Sequence, residues 1–170
     1  MIPLPMSPTT FLNEVVAPAL AAIGVTAMDS PEARLMLTAI ALQESGLRTR
    51  TQDDGGPARG LLMFERNGVL SVMHGVATSS YAYNACIKFG VLWGSTSILA
   101  ALQRDDELAC VFARLLLWSD PRPLPELGDE MGAWNLYERC WRPGKPSYTR
   151  WKQVYPQALA AIQDQAGIAQ

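Results

Sequence analysis

Between Leu35 and Leu42 the chain reads LMLTAIAL, and Thr38 is its only polar side chain. Signals for starting a helix stand directly before this run. Ser30 is suited to cap the N-terminus, Pro31 to the first helical position, and Glu32 to the first turn, where the helix dipole favours a carboxylate. The pattern predicts a helix from Pro31 to Gln43 or Glu44 that stops before Gly46. A helix that is apolar nearly all round has no face to give to water, so other elements must surround it. That requirement constrains the fold more than any other feature of the sequence.

The surrounding elements also read as helices, because apolar residues recur at three- and four-residue steps between Gly and Pro punctuation. One is expected from Thr10 to Ala22, bent at Pro18 and ended by Gly24. Others are expected over Glu65 to His74, Ser79 to Phe89 and Asp105 to Trp118, the last with Leu108, Val111, Phe112, Leu115 and Trp118 turned inward. Two more follow, from Asp129 to Trp141 and from Ser147 to Gln163, parted by RPGKP, which stops one and starts the other. SDPRPLPELG, residues 119–128, reads as a stiff connector, and RTRTQDDGGPAR, residues 48–59, as a polar loop of the kind that carries function. No strand pair and no repeat is legible. The expectation is a mainly α fold in which the 170 residues form one domain, with a cleft beside a buried central helix.

Charge and composition narrow the function classes. Fourteen basic and sixteen acidic side chains leave a formal charge of −2, so there is no global positive field to recruit nucleic acid or anionic lipid. The longest strongly apolar run falls far short of the ~20 residues that cross a bilayer. Cys86, Cys110 and Cys140 are widely spaced and His74 is the single histidine, a pattern without the clustering that metal sites need. The expectation is therefore no metal, no cofactor, no nucleic-acid partner and no membrane span, with reduced thiols in the core and His74 at a helix end. The N-terminal MIPLPMSPTT lacks the basic and apolar regions of a secretory signal, which points to synthesis in the cytoplasm.

Glu44 is the residue best placed for chemistry. Helical spacing sets it above Leu37, Ile40 and Ala41, at the carbonyl end of the apolar helix. Desolvation and the negative end of the dipole both resist its ionisation, so it can keep a proton near neutral pH as a general acid must. The plain alternative is a glutamate that turns out to solvent as the helix frays.

Glu44-Ser45-Gly46, followed by a short polar loop and by Gly60-Leu61-Leu62-Met63-Phe64-Glu65, resembles the lysozyme-like superfamily, in particular goose-type lysozymes and soluble lytic transglycosylases. In that family a helix ends in Glu-Ser, the glutamate protonates a glycosidic oxygen, and a Gly-Leu-Met-Gln-like segment lines the sugar cleft. Goose-type enzymes also place supporting aspartates six residues before and five after the wall glycine, offsets that here fall on Asp54 and Glu65. Ala133-Trp134-Asn135-Leu136-Tyr137 is similar to the Ala-Tyr-Asn-Ala-Gly segment whose aromatic approaches the acid. GGPARGLLMFE together with AWNLYERCWRPGKP is similar to small phage-encoded lysozyme-like proteins. The likeness runs through residues 31–160 in order.

The resemblance implies Glu44 as acid, Asp54 or Glu65 as the carboxylate that orients water, and Ser45, Arg59, Gly60, Leu61, Met63, Phe64, Trp134 and Tyr137 along the substrate. Simpler structural roles stand beside these. Asp53 and Asp54 precede Gly55-Gly56 as ordinary turn residues do. Gly60 suits a tight backbone approach, and Arg59 a surface ion pair as well as a muramyl carboxylate or peptide. Trp134, Tyr137 and Trp141 share one helical face, which is either a core stripe or a sugar-stacking platform; the hydroxyl of Tyr137 needs a partner when buried, which favours it at the site. Met63 replaces the family's glutamine and offers only a weak acceptor sulfur, which implies altered or lost activity.

The function implied is cleavage of the glycan strand of bacterial peptidoglycan, as a muramidase or a lytic transglycosylase. Delivery to the cell wall would be by a phage or prophage route, with other phage proteins as further partners. The alternatives are a non-catalytic phage structural or peptidoglycan-binding protein that keeps the fold, and a cytosolic helical interaction domain in which Glu-Ser-Gly is coincidental.

Overall fold

A computed structural model describes residues 1–52 and 55–167. The chain is helical along most of this length, as its periodicity predicts. Helix α1 (Pro8–Phe11) runs through a π turn (Leu12–Val16) into α2 (Ala17–Ile23), and Gly24 closes the element in the left-handed region at φ 71°. Pro18 has no N–H to give the ladder, and just before it the N–H of Ala17 reaches back to the carbonyl of Leu12, widening the turn so that the ring is accommodated. A single 3₁₀ turn (Thr26–Met28) leads to α3 (Pro31–Glu44). The Ser30 hydroxyl accepts the N–H of Ala33, so the capping signal in the sequence is realised.

Beyond the polar segment lie α4 (Arg66–His74), α5 (Ser79–Lys88), α6 (Ser95–Leu102), α7 (Asp106–Trp118), α8 (Glu130–Trp141) and α9 (Tyr148–Gln165). The side chains of Asp105, Asp129 and Ser147 cap α7, α8 and α9 by accepting N–H groups of their first turns. Helix α6 has no counterpart in the sequence reading. Its N-cap is Gly94, which offers no side chain to the exposed N–H groups, so the usual start signal is missing. Among the described residues the only β-type pairings are isolated bridges, Thr51 with Arg59 and Arg59 with Phe64.

Two helices form the interior. Every residue of α3 from Leu35 to Gln43 is buried, and every residue of α7 from Leu108 to Leu117. Helix α7 touches α2, α3, α4, α5, α6 and α8, whereas α3 makes its most extensive contact with α9. The single inward face expected of α7 is therefore only part of its burial. Ala109, Cys110 and Ala113, small residues on the remaining surface, are fully enclosed as well. Arg114 is 2% exposed; its Nε donates to the Met28 carbonyl at 2.7 Å and its guanidinium lies over the Trp118 ring. All three cysteines are free, Cys86 and Cys110 in the core and Cys140 partly buried, and His74 is exposed at the end of α4. No helix among the described residues is long and apolar enough to cross a membrane.

Candidate functional site

Glu44 is the last residue of α3, half-buried where the enclosed helix reaches a groove. The hydroxyl of Tyr137 donates to its Oε1 at 2.6 Å. Burial drives the carboxyl from its usual 4.5 up to about 7; the Tyr137 hydrogen bond and the positive charge of Arg150 pull it down, and the negative charge of Glu65 adds to the rise. Desolvation wins because neither opposing influence is a full ion pair at contact. The result is an acid that is about half protonated near neutral pH.

Tyr137 is held by its neighbours. Its ring lies between Trp141 and Trp151, with centroids 6.4 and 5.2 Å away and interplanar angles of 28° and 19°. Trp134 and Tyr148 extend this cluster where α8 meets α9, their centroids 5.2 Å apart. Burial and the nearby Glu44 charge push the Tyr137 hydroxyl further up from its usual range, so it remains a donor at all ordinary pH values. The cluster thus answers the question left open by the sequence in a divided way. Trp134 is buried and away from the groove lining, a core residue; Tyr137 and Trp141 line the groove.

The polar segment after α3 is pinned at several points. The Ser45 hydroxyl donates to the Ala41 carbonyl and accepts the Leu47 N–H, which closes the helix end below Glu44. Arg50 grips Asp106 with Nε and Nη2 at 2.7 and 2.6 Å and also reaches the Ile2 carbonyl. Residues 59–64 form a tight reversal in which Arg59 and Phe64 exchange backbone hydrogen bonds. Gly60 sits there at φ 75°, and a Cβ at this position would lie 2.4 Å from the Leu102 carbonyl oxygen. Only glycine lets this reversal approach the end of α6 so closely.

The groove has a volume of about 1350 Å³. Of the residues expected along a substrate, Glu44, Ser45, Met63, Phe64, Glu65 and Tyr137 line it. Glu65 is exposed at the N-cap of α4, and Met63 is half-buried with φ 47°. Gly60 and Leu61 are buried within the reversal and do not line the groove. Arg59 is turned away from it, giving its Nη1 to the carbonyls of Gly56 and Ala58 rather than to a carboxylate. Asp54 lies outside the described residues, as does Asp53.

Several lining residues escape sequence reasoning. Arg150 donates to the Leu42 carbonyl at 2.9 Å and sets its charge near Glu44. A cation in the first turn of a helix opposes the dipole, and that mismatch is the one signal that could have singled it out. Gln43 gives its Nε2 to the Ser147 carbonyl, and its buried Oε1 has no partner among the described residues. Arg139, Arg142 and Lys145 enter from the end of α8 and the connector to α9. Among the described residues no group of three His, Cys, Asp or Glu side chains is arranged to hold a metal ion.

The arrangement provides one carboxylic acid poised near neutrality, a second carboxylate on the same groove, a fixed hydroxyl donor, and aromatic and amide surface beside them. Compared with protein-family models, with curated proteins and with solved structures, the chain has no match.

Proposed function

We propose that the protein cleaves the glycan strand of bacterial peptidoglycan, with Glu44 as general acid, on a helical scaffold of the lysozyme-like type. The observation that carries this reading is the environment of Glu44: a carboxyl raised to about 7, hydrogen-bonded by Tyr137, on a groove of about 1350 Å³. Protonated Glu44 gives its hydrogen to the glycosidic oxygen as the bond to that oxygen breaks. The carboxylate left behind is steadied by the Tyr137 hydroxyl and by the charge of Arg150, the same two influences that keep its pKa from rising further. Glu65, on the same groove, orients the water that completes hydrolysis; if the sugar's own hydroxyl attacks instead, the product is an anhydro ring and Glu44 acts without it. The chain reaches the wall by a phage or prophage route in this reading.

A binding role without cleavage is favoured by Met63, which presents a thioether to the groove where a sugar-binding wall has use for an amide. Mass spectrometry of sacculi incubated with the wild-type chain and with Glu44→Gln decides the matter. New reducing ends or anhydro ends from the wild type alone support cleavage. Glycan left intact by a chain that sediments with the sacculi supports binding only, and a chain that does neither sinks both.

A further inference from the structure

Charge is segregated along the groove. The described residues that line it from positions 43–71 bring hydroxyls and amides, among them Ser45, Thr49, Gln52 and Asn67, with Glu44 and Glu65 as the acids. The lining from the end of α8, from the connector and from the first turn of α9 is cationic instead: Arg139, Arg142, Lys145 and Arg150. Arg139 is neutralised by Asp120 at 2.8 Å. Arg150 is ordered by the Leu42 carbonyl, which fixes the guanidinium without cancelling its charge. Arg142 and Lys145 are exposed and form no ion pair among the described residues.

A neutral sugar needs none of these cations, because hydroxyls are met as well by amides and hydroxyls. In a chain whose overall charge is −2, the unpaired charges of Arg142 and Lys145, with Arg150 beside them on the same groove, suit something anionic. A guanidinium and an ammonium together suit carboxylates, the first by paired N–H donors and the second as a point charge. The connector is also stiff, with Pro143 and Pro146 on either side of Gly144-Lys145, and Arg142 is fixed as the left-handed cap of α8 at φ 48°. Little order remains to be imposed on it when a ligand arrives.

We propose that this connector is a carboxylate-recognition wall, in which Arg142 and Lys145, backed by Arg150, hold the acidic groups of a glycan strand whose sugar hydroxyls face the amide and hydroxyl lining. The inference rests on the glycan-cleaving reading and adds which strands the groove prefers: those with free carboxylates, on the sugar or on an attached peptide, over neutral β-1,4 glycans.

Calorimetric binding to the full chain carrying Glu44→Gln, which leaves the strands uncut, tests this with three ligands. They are a neutral N-acetylglucosamine oligosaccharide, a peptide-stripped peptidoglycan strand with free lactyl carboxylates, and a peptide-bearing strand. Both carboxylated strands, or one of them, should bind more tightly than the neutral one, and the margin should shrink as salt is raised. The tighter of the two identifies the sugar or the peptide as the source of the carboxylate. Adding Arg142→Gln and Lys145→Gln should narrow the margin by about three- to tenfold, as expected for exposed charge pairs. Equal affinity for neutral and carboxylated strands, or a margin untouched by the two substitutions, overturns the inference. If the wild-type chain still cuts sacculi in that case, the glycan reading stands without it; if no strand binds and sacculi stay intact, the glycan reading falls and this wall falls with it.

Discussion

Asp106 and Glu44 both present a carboxylate to the interior, one at the start of α7 and the other at the end of α3, and the chain satisfies them by different means. Asp106 receives a two-pronged grip from Arg50, at 2.7 and 2.6 Å, with the two side chains 6% and 11% exposed. Glu44 receives one neutral hydroxyl at 2.6 Å, and its cationic neighbour Arg150 spends a donor on a backbone carbonyl instead. A full counter-charge makes a buried carboxylate an anchor, here tying the polar loop to α7. A hydroxyl leaves the charge uncompensated, and burial then makes the proton worth keeping. The contrast separates a carboxylate that holds the scaffold from one that can do chemistry.

The comparison predicts effects of graded size. Glu44→Gln should lower cleavage of sacculi by about 10³-fold, the range that a general acid supplies, while the groove still binds glycan. A variant with near wild-type turnover would end the assignment. Asp106→Asn should do the opposite, leaving the chemistry of Glu44 in place but stranding the half-buried Arg50, at a cost of about 2 kcal/mol in urea unfolding.

Stability should depend on pH through Glu44 in a direction set by its raised pKa. Below about 4.5 both folded and unfolded chains hold the proton, and no penalty exists. Between 4.5 and about 7 the folded chain keeps a proton that the unfolded chain has lost, so stability falls as pH rises, by about 3 kcal/mol in all. Glu44→Gln escapes that loss, and its unfolding free energy should exceed the wild type's at pH 8 while matching it at pH 4. Equal differences at the two pH values would show that the carboxyl is not raised.

The smallest effect concerns Tyr137→Phe. Losing the hydroxyl removes a donor that favours the Glu44 anion, so the alkaline limb of the activity profile, expected near pH 7, should move up by about half a pH unit to one. A limb that stays put, or moves down, would mean that the hydrogen bond does not govern the proton on Glu44.

Helices that carry their own punctuation are legible in the sequence, and α4 and α5, which start without a side-chain cap, are legible from their apolar periodicity. Ser30-Pro31, Asp105, Asp129 and Ser147 each supply a side-chain oxygen for a helix start, and Gly24 a left-handed stop, so those elements are found within a residue or two. Helix α6 begins at a glycine without a cap, and nothing local marks it. The acid end of the site is legible for the same reason: Glu44, Ser45 and the reversal at residues 59–64 are close in sequence, and burial of α3 follows from its composition. The cationic end is not. Arg139 and Arg150 take their positions from Asp120 and the Leu42 carbonyl, partners 19 and 108 residues away in the chain, and RPGKP reads as a break between helices until tertiary packing brings it to the groove. Arg59 shows the reverse error, since its local carbonyls satisfy it before any distant carboxylate can.

Trp141 belongs to α8, yet its indole N–H reaches the Leu62 carbonyl at 3.1 Å and its ring meets Phe64 edge-on. This crosspiece joins the reversal to α8 at one point of the trough, so the span there is set before any guest arrives. On the glycan-cleaving reading, a strand that enters here meets a span already fixed, and less order has to be imposed when it binds.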